Sequence, residues 1–407
     1  MAQVPVSNNG DTLPLSGIRV LEFCHTIMGP TAGMLLADLG ADVIKIEPSP
    51  QGDSTRRLRG FASGFFAAFN RNKRSVAIDL KAKEGRGLVH RLAGTADVVL
   101  ENFAPGTMER LGCGYADLAP NNPRLIYCAL KGFLSGPYEH RPALDEVVQF
   151  MAGLAYMTGP PGQPLRAGSS VIDIMGGMFA VIAIQAAITE RARTGKGQFV
   201  KSALFETAAL LMMQHMAGEA AIGREPPPMP VREAAWAIYD LFATADQKQI
   251  FIGLTSDGHW RRFCDHFGRA DLLSDPLLQT NQDRVRQRET IRPIVADLVG
   301  RYTLAQLGEL FDRIAIPFSP VARPGDLFDD AQLNAQGRML DIEFANGVRA
   351  SMPCLPVEIG EHRLRLRRQA PAIGEHTIEV LTELGLNRAQ IDALREPGII
   401  AAASSPP

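Results

Sequence analysis

Five short apolar segments separated by helical segments constrain the fold more than any other feature of this chain. They are GIRVLEF, DVIKIE, SVAIDL, DVVLEN and RLIYCAL, all within residues 17–130. Segments with helical spacing of apolar residues lie between them, such as TAGMLLADLGA and KEGRGLVHRLAG. Strands that alternate with helices form a parallel sheet covered on both faces. The sequence therefore predicts an α/β fold built on a parallel sheet.

A proline-rich break and two hairpins divide the rest of the chain. Helical segments dominate from residue 145 to 222, and the segment REPPPMP then cannot continue a helix. The next segment predicts a hairpin with its turn near Asp246, followed by helices. Asn346-Gly347 predicts a second hairpin with a type I′ turn. We expect residues 1–224 to begin a large domain, residues 225–322 to form a small α+β domain, and residues 323–407 to return to the large domain.

Composition indicates an ordinary globular protein. Of 407 residues, 46% are hydrophobic and 21% are charged, and the formal net charge of −2 argues against nucleic-acid binding. The five scattered cysteines include no CxxC pair, so they predict neither a disulfide framework nor a zinc site. Residues 1–17 lack the apolar core of a signal peptide, and the longest apolar run (residues 174–188) contains two glycines and a glutamine. We expect a cytoplasmic protein without a membrane segment.

One carboxylate stands out in the longest apolar helical segment. Asp173 is the only charged residue between Gly168 and Ile188. At the start of a helix, the macrodipole favours an ionised carboxylate, and free N–H groups there could stabilise an oxyanion. Capping is the alternative, because Ser169 or Ser170 can be the N-cap and acidic residues commonly follow in the first turn. Position alone favours this capping role.

Polar and basic residues follow several predicted strands. The carboxyl ends of parallel strands are where ligands bind in open α/β sheets, although a lone histidine there is more often structural. Arginine and lysine at this density could bind phosphates or form a solvated rim. A second acidic pair, at a later helix start, is explained by capping. The residues concerned are His25, Arg71, Lys73, Arg74, Lys81, Asn102, Phe103, Arg110, Asp145 and Glu146.

Together these segments resemble the class III CoA-transferase family, which includes formyl-CoA transferase and the 2-methylacyl-CoA racemases. The resemblance covers nearly the whole chain in order. It implies a Rossmann-like large domain, a smaller α+β domain and an interlocked homodimer. It also implies coenzyme A as a substrate, with no other cofactor and no metal. The matching segments are GIRVLEF, LADLGADVIKIE, NRNKRSVAIDLK, DVVLENFAPGTMERLG, NPRLIY, MTGP, DIMGG, TGKGQ, IPFSPV and residues 371–377.

The resemblance also implies roles for individual residues. Asp173 corresponds to the carboxylate nucleophile. We expect His25 and Asp145 to support it. Contacts with CoA are implied for a larger set that follows the strand ends. This set is Ile27, Met28, Lys73, Arg74, Ile78, Asp79, Leu80, Lys81, Asn102, Phe103, Ala104, Arg110, Pro142, Ala143 and Leu144.

The implied reaction exchanges CoA between two acids. Asp173 would attack an acyl-CoA to give a mixed anhydride and CoA thiolate, and the thiolate would then form an aspartyl-CoA thioester. The incoming acid would reverse these steps. The thioester is conserved, so no ATP is needed, and covalent catalysis divides one difficult exchange into easier steps.

Two alternatives stay open beside a transferase. A racemase needs two bases, and the resemblance expects a histidine where this chain has Leu144. A non-catalytic acyl-CoA-binding homologue would have no need of Asp173.

The choice of substrate depends on features that differ within the family. Formyl-CoA transferase has a glycine-rich loop where this chain has PVREAAWAIYD, which argues against oxalate. The closer likeness is to enzymes that use succinyl-CoA and a dicarboxylate. Arg166 and Arg141 are candidates for binding the second carboxylate.

Overall fold

A computed structural model describes residues 12–403. The predicted absence of a signal peptide therefore concerns a segment that lies largely outside the described residues. The chain divides into two compact units. The small unit is Val231–Gln332, and the large unit consists of the residues before and after it. Both boundaries lie later in the sequence than the predicted residues 225 and 322.

Within residues 12–230, the first part of the large unit contains six strands and nine α-helices. Their bounds are β1 (Arg19–Phe23), α1 (Met28–Asp38), β2 (Asp42–Glu47), α2 (Phe65–Phe69), β3 (Arg74–Ile78), α3 (Lys83–Ala93), β4 (Val98–Glu101), α4 (Thr107–Arg110), α5 (Tyr115–Leu118), β5 (Ile126–Lys131), α6 (Asp145–Met151), α7 (Leu154–Thr158), α8 (Val171–Thr194), β6 (Phe199–Ala203) and α9 (Leu204–Ile222).

The small unit is an antiparallel sheet with helices. Its strand order is β7-β8-β9, and the predicted hairpin is the β7-β8 pair. Trp260, Phe263 and Phe311 lie in its own hydrophobic core. The elements are β7 (Ile238–Ala243), β8 (Gln249–Leu254), α10 (Asp257–His266), α11 (Ala270–Ser274), α12 (Asn281–Arg286), α13 (Arg288–Val299), α14 (Leu304–Arg313) and β9 (Phe318–Pro320), and α15 (Ala331–Asn334) follows at the boundary.

The chain then returns to the large unit. The elements are β10 (Met339–Glu343), β11 (Arg349–Pro353), α16 (Thr377–Glu383), α17 (Arg388–Arg395) and β12 (Ile400–Ala401). The β10-β11 hairpin forms where it is predicted, but the predicted type I′ turn is wrong. That turn needs a positive φ at both central residues. Here Gly347 has φ 78° and Asn346 does not have a positive φ. The Gly347 N–H donates to Phe344 O, so Ala345 and Asn346 are central and Gly347 takes the left-handed position.

The large unit is organised by one seven-stranded sheet in the order β12-β3-β2-β1-β4-β5-β6. Strands β1 to β6 are parallel, which confirms the predicted parallel sheet, and β12 is antiparallel to β3. Strands β6 and β12 are absent from the prediction. In β6, Lys201 and Ser202 interrupt the apolar pattern, and β12 is only two residues long. Both strands form because they pair with strands far away in the sequence, β6 with β5 and β12 with β3.

Both faces of the sheet are buried. Leu21 and Ile44 belong to one hydrophobic core, while their neighbours Val20 and Val43 belong to the other. Successive side chains of a strand point to opposite faces, so a strand buried on both sides consists of consecutive apolar residues. This explains why the strands are recognisable in the sequence.

Helix α8 carries Asp173 in its first turn and packs against α1. Among the described residues, it is also the one helix long and apolar enough to cross a membrane by length and composition. A Cβ atom on Gly176 would lie 2.6 Å from Met28 Cε, and one on Gly177 would lie 2.7 Å from Met28 O. The two helices therefore approach each other closely where α1 begins, about one turn after Asp173.

We predict that Gly177→Ala destabilises the protein. The new methyl group would meet Met28 O and the Thr31 side chain, and overpacking of this kind costs about 1–3 kcal/mol. Urea denaturation measures the loss. The control is Gly87→Ala in α3, where an added Cβ meets no atom within 4 Å. Equal stability of the two variants would contradict the close packing of α1 and α8.

Candidate active site

The predicted site residues meet at one edge of the large sheet. Because β1 to β5 are parallel, the loops that follow them lie at the same carboxyl edge. His25 follows β1 and Asn102 follows β4, which is its neighbour in the sheet. Helix α1 starts at this edge directly after β1. Helix α8 ends at the opposite, amino edge, where it leads into β6. Its first turn therefore lies at the carboxyl edge. Asp173 and His25 therefore lie at the same edge.

The loop that carries His25 is fixed by hydrogen bonds to its backbone. The Asn102 side chain accepts from His25 N at 3.0 Å and donates to His25 O at 2.9 Å. Thr26 N donates to Thr55 Oγ1 at 2.8 Å. These contacts hold Thr26 at φ 66°, a strained conformation for a β-branched residue. The His25 ring stacks on Phe103, and burial lowers its pKa, so the ring is neutral at pH 7.

A buried ion cluster lies beneath this loop. Lys45 Nζ lies 3.2 Å from Glu22 Oε1 and 2.9 Å from Asp53 Oδ2, and it donates to Cys24 O at 2.6 Å. Lys73 Nζ lies 2.6 Å from Glu22 Oε2. Two lysines thus balance two carboxylates. The cluster fixes the residue just before His25. The sequence did not point to Glu22, Lys45 or Asp53, and it predicted a CoA contact for Lys73.

The expected phosphate-binding role of Lys73 and Arg74 disagrees with their contacts. Lys73 is fully buried, and burial lowers its pKa to about 8. Arg74 is also buried and pairs with Asp42 and Glu383. Arg71 pairs in the same way with Asp38. Three cations of this basic segment therefore form internal ion pairs, while Lys81 is exposed.

Two of the N–H groups expected to be free at the start of α8 have an acceptor. Asp145 Oδ2 accepts from Ile172 N at 2.9 Å and from Asp173 N at 3.0 Å. Asp145 thus caps a helix other than its own. Ser170 is the N-cap residue of α8, but its side chain makes no capping hydrogen bond. Two of the donors proposed for an oxyanion, the N–H groups of Ile172 and Asp173, are therefore occupied.

Burial, and to a smaller extent the Asp145 carboxylate, raise the pKa of Asp173 to about 7. The Arg166 guanidinium opposes both effects. Dipole stabilisation of the ionised form, expected from the sequence, does not dominate here. Asp173 is therefore poised to change its protonation state near neutral pH, which is a common property of functional carboxyl groups.

The two candidate arginines differ in their surroundings. Arg166 Nη1 lies 2.6 Å from Glu146 Oε1, and its charge acts on Asp173. Within residues 12–403, its buried Nε has no hydrogen-bond partner. Arg141 is exposed, and its guanidinium lies 4.8 Å from the ring centroid of Tyr138.

This arrangement can be compared with known proteins. The model of CoA-transferase family III matches residues 15–377. The chain belongs to that family. It is 36% identical to a succinate–glutarate CoA-transferase of Agrobacterium fabrum, and the match covers 91% of this chain and 96% of the relative. It is 32% identical to a succinyl-CoA:mesaconate CoA-transferase of Haloarcula hispanica, over 93% of this chain and 99% of the relative.

A solved family member supports the fold. The CaiB/BaiF family protein from Brucella suis superposes with a TM-score of 0.80 at 34% identity. The match covers 91% of this chain and 99% of that structure. The resemblance of the sequence to the family is thereby confirmed, together with the α/β fold.

The remaining residues that the family implies for CoA lie at or near the carboxyl edge. Ile27 and Met28 are buried at the start of α1, and Ile78 is buried at the end of β3. Exposure of the others varies: Ala104, Arg110, Pro142, Leu144 and Lys81 are exposed, and Asp79, Leu80, Phe103 and Ala143 are half-buried. Among residues 12–403, no group of three or more His, Cys, Asp or Glu is arranged to hold a metal ion.

We predict that Lys73→Gln weakens folding. Removal of this cation leaves Glu22 with one buried partner fewer, and breaking a buried pair costs about 3–5 kcal/mol. Urea denaturation provides the measurement. Lys81→Gln is the control, because Lys81 is exposed, and its stability should be unchanged. A stable Lys73→Gln protein with weakened CoA binding would instead support the phosphate role.

Proposed function

We propose that this protein transfers CoA from succinyl-CoA to a free dicarboxylate, with Asp173 as the nucleophile. One observation carries the proposal: in a member of CoA-transferase family III, the carboxylate in the first turn of α8 lies at the ligand-binding edge. The names of the relatives give the substrate class, since they act on succinate with glutarate and on succinyl-CoA with mesaconate.

The proposed steps follow from the chemistry of a carboxylate and a thioester. A carboxylate oxygen of Asp173 adds to the succinyl carbonyl, and the C–S bond breaks to leave CoA thiolate and a mixed anhydride. The thiolate then attacks the Asp173 carbonyl, which releases succinate and forms an aspartyl-CoA thioester. The incoming acid attacks this thioester, and the thiolate finally attacks the acyl carbonyl. The last step frees Asp173, and no step consumes a proton or an electron.

Arg166 is the better candidate for the second carboxylate of the substrate. Its charge acts on Asp173, and its Nε is buried without a partner among the described residues. Arginine binds carboxylates through two parallel N–H donors. Arg141 lies in the loop for which the family implies CoA contacts, and its guanidinium stacks on Tyr138.

A homodimer and a cytoplasmic location belong to the same proposal. Large apolar side chains are exposed along α8 and α9, namely Met178, Ile182, Leu210, Met213 and Met216. Extended apolar surfaces of this kind are typical of protein interfaces. A second copy of the chain, interlocked with the first as the family implies, would cover them.

The racemase alternative lacks support from the site. Leu144 is 71% exposed at the N-cap of α6, where the resemblance would place a catalytic histidine. A leucine cannot exchange a proton with the α-carbon of a thioester.

We expect that the protein mixed with succinyl-CoA and a panel of free acids produces a new acyl-CoA from a dicarboxylate. Mass spectrometry of the CoA esters identifies both the donor and the acceptor. Asp173→Asn, which preserves the shape but removes the nucleophile, should lower the rate by at least about 10³-fold. The control is Asp297→Asn, an exposed change in the small unit.

Two results would contradict parts of this proposal, the first the role of Asp173 and the second the transferase activity. One is turnover by Asp173→Asn at the wild-type rate. The other is deuterium uptake at the α-carbon of a 2-methylacyl-CoA without any CoA exchange, which would identify a racemase.

The pH dependence should report the state of Asp173. Its pKa is raised to about 7, and only the ionised form can attack. Below pH 7, kcat/KM should therefore fall about tenfold for each unit by which the pH is lowered, and above pH 7 it should reach a plateau. Initial rates between pH 5 and pH 9 provide the profile. A flat profile down to pH 5 would contradict a raised pKa for the attacking carboxylate.

A further inference from the structure

A continuous hydrogen-bond chain joins α6 to the first turn of the nucleophile helix. Ala167 N donates to Gln149 Oε1 at 2.8 Å. Gln149 Nε2 donates to Asp145 Oδ1, and Asp145 Oδ2 accepts from the N–H groups of Ile172 and Asp173. Gln149 is fully buried and Asp145 is nearly so. This series of hydrogen bonds therefore holds both the segment before α8 and the start of α8.

The donors and acceptors of Asp145 and Gln149 fit their partners in only one arrangement. Asp145 must present an acceptor at both oxygens, since one faces two backbone N–H groups and the other faces an amide N–H. Gln149 must present an acceptor to Ala167 and a donor to Asp145. If its amide were flipped, its oxygen would face a carboxylate oxygen and its NH₂ would face an N–H. Misplaced polar groups at buried positions are costly.

We propose that Asp145 and Gln149 form a positioning pair that sets the orientation of the Asp173 carboxylate by clamping the first turn of α8. The inference rests on the proposed role of Asp173 and adds two residues that act through it. In this account, the acidic pair at the start of α6 is more than an ordinary cap. Asp145 is at the first position of α6, but both of its oxygens serve other partners.

The spacing of the pair supports a shared role. Asp145 and Gln149 are four residues apart on one helix, so their side chains lie on the same face. Phe150, the next residue, is exposed, so the helix turns this polar face inward and leaves apolar groups outside. Burial of polar side chains costs free energy unless each finds a partner, and here each does.

The charges around Asp173 make a second readout possible. Asp145 comes from α6 and Arg166 from the segment before α8, and Glu146 of α6 pairs with Arg166. His25 lies in the loop before α1 and is neutral at pH 7. If Asp145 loses its charge, the acid limb of the pH profile should move below pH 7. This shift reports the charge of Asp145 beside Asp173, whereas the plateau of kcat/KM reports how the carboxylate is positioned.

Complementary substitutions of Asp145 and Gln149 test the pair. Asp145→Asn places an NH₂ group against the NH₂ of Gln149, and Gln149→Glu places two carboxylates together. The double variant Asp145→Asn/Gln149→Glu restores every donor to an acceptor: the asparagine oxygen faces Ile172 and Asp173, and its NH₂ faces the new glutamate. The exposed change Asp297→Asn is the matched control.

We expect each single variant to lower the plateau of kcat/KM by about 10²-fold, as expected for a misplaced nucleophile. The double variant should recover most of this loss, with its acid limb below pH 7. Hydrogen exchange of peptides that span residues 168–178 should be faster in the single variants and protected again in the double variant. A thermal melt for each variant separates this effect from general unfolding.

The outcomes separate this inference from the proposed function. The inference would be overturned if the single variants showed wild-type hydrogen exchange in residues 168–178 and a wild-type plateau of kcat/KM. It would also be overturned if the double variant matched Asp145→Asn in its kcat/KM or in its hydrogen exchange. If the wild-type protein exchanges no CoA between any pair of acids, the proposed function fails. The exchange data on residues 168–178 still decide whether the pair clamps the helix.

Discussion

The close contact between α1 and α8 sets the position of Asp173, and with it the position of the proposed active site. Gly176 and Gly177 let α8 approach the start of α1, so the turn that carries Asp173 lies at the carboxyl edge of the sheet. The His25 loop precedes α1 at the same edge. A side chain at position 177 would separate the helices, since its Cβ would lie within 3 Å of backbone and side-chain atoms of α1. The site is thus a consequence of helix packing.

Electrostatics near the site divides into two parts with different purposes. The cluster of Glu22, Lys45, Asp53 and Lys73 is balanced in charge and holds the His25 loop from below. By contrast, Asp173 and Asp145 bring two carboxylates together, with Arg166 as the cation that acts on Asp173. The first arrangement stabilises structure. In the second, burial and the neighbouring Asp145 carboxylate raise the pKa of Asp173 to about 7.

The sequence predicts those features that depend on local pattern. Strands β1 to β5 are recognisable because burial on both faces requires consecutive apolar residues. Asp173 is recognisable because it is isolated in an apolar segment. Contacts between distant residues are not visible in this way: Lys73 looks like a phosphate ligand until its burial beside Glu22 is seen. The spacing of Asp145 and Gln149 indicates that they can pair, but only the fold shows that they hold α8.

The central claim is that Asp173 carries CoA during turnover. The direct measurement is mass spectrometry of protein quenched in acid after brief mixing with succinyl-CoA, followed by peptide mapping. The account predicts a mass increase equal to CoA minus water on the peptide that contains Asp173, and none in Asp173→Asn. An adduct on another peptide, together with normal CoA exchange by Asp173→Asn, would contradict it.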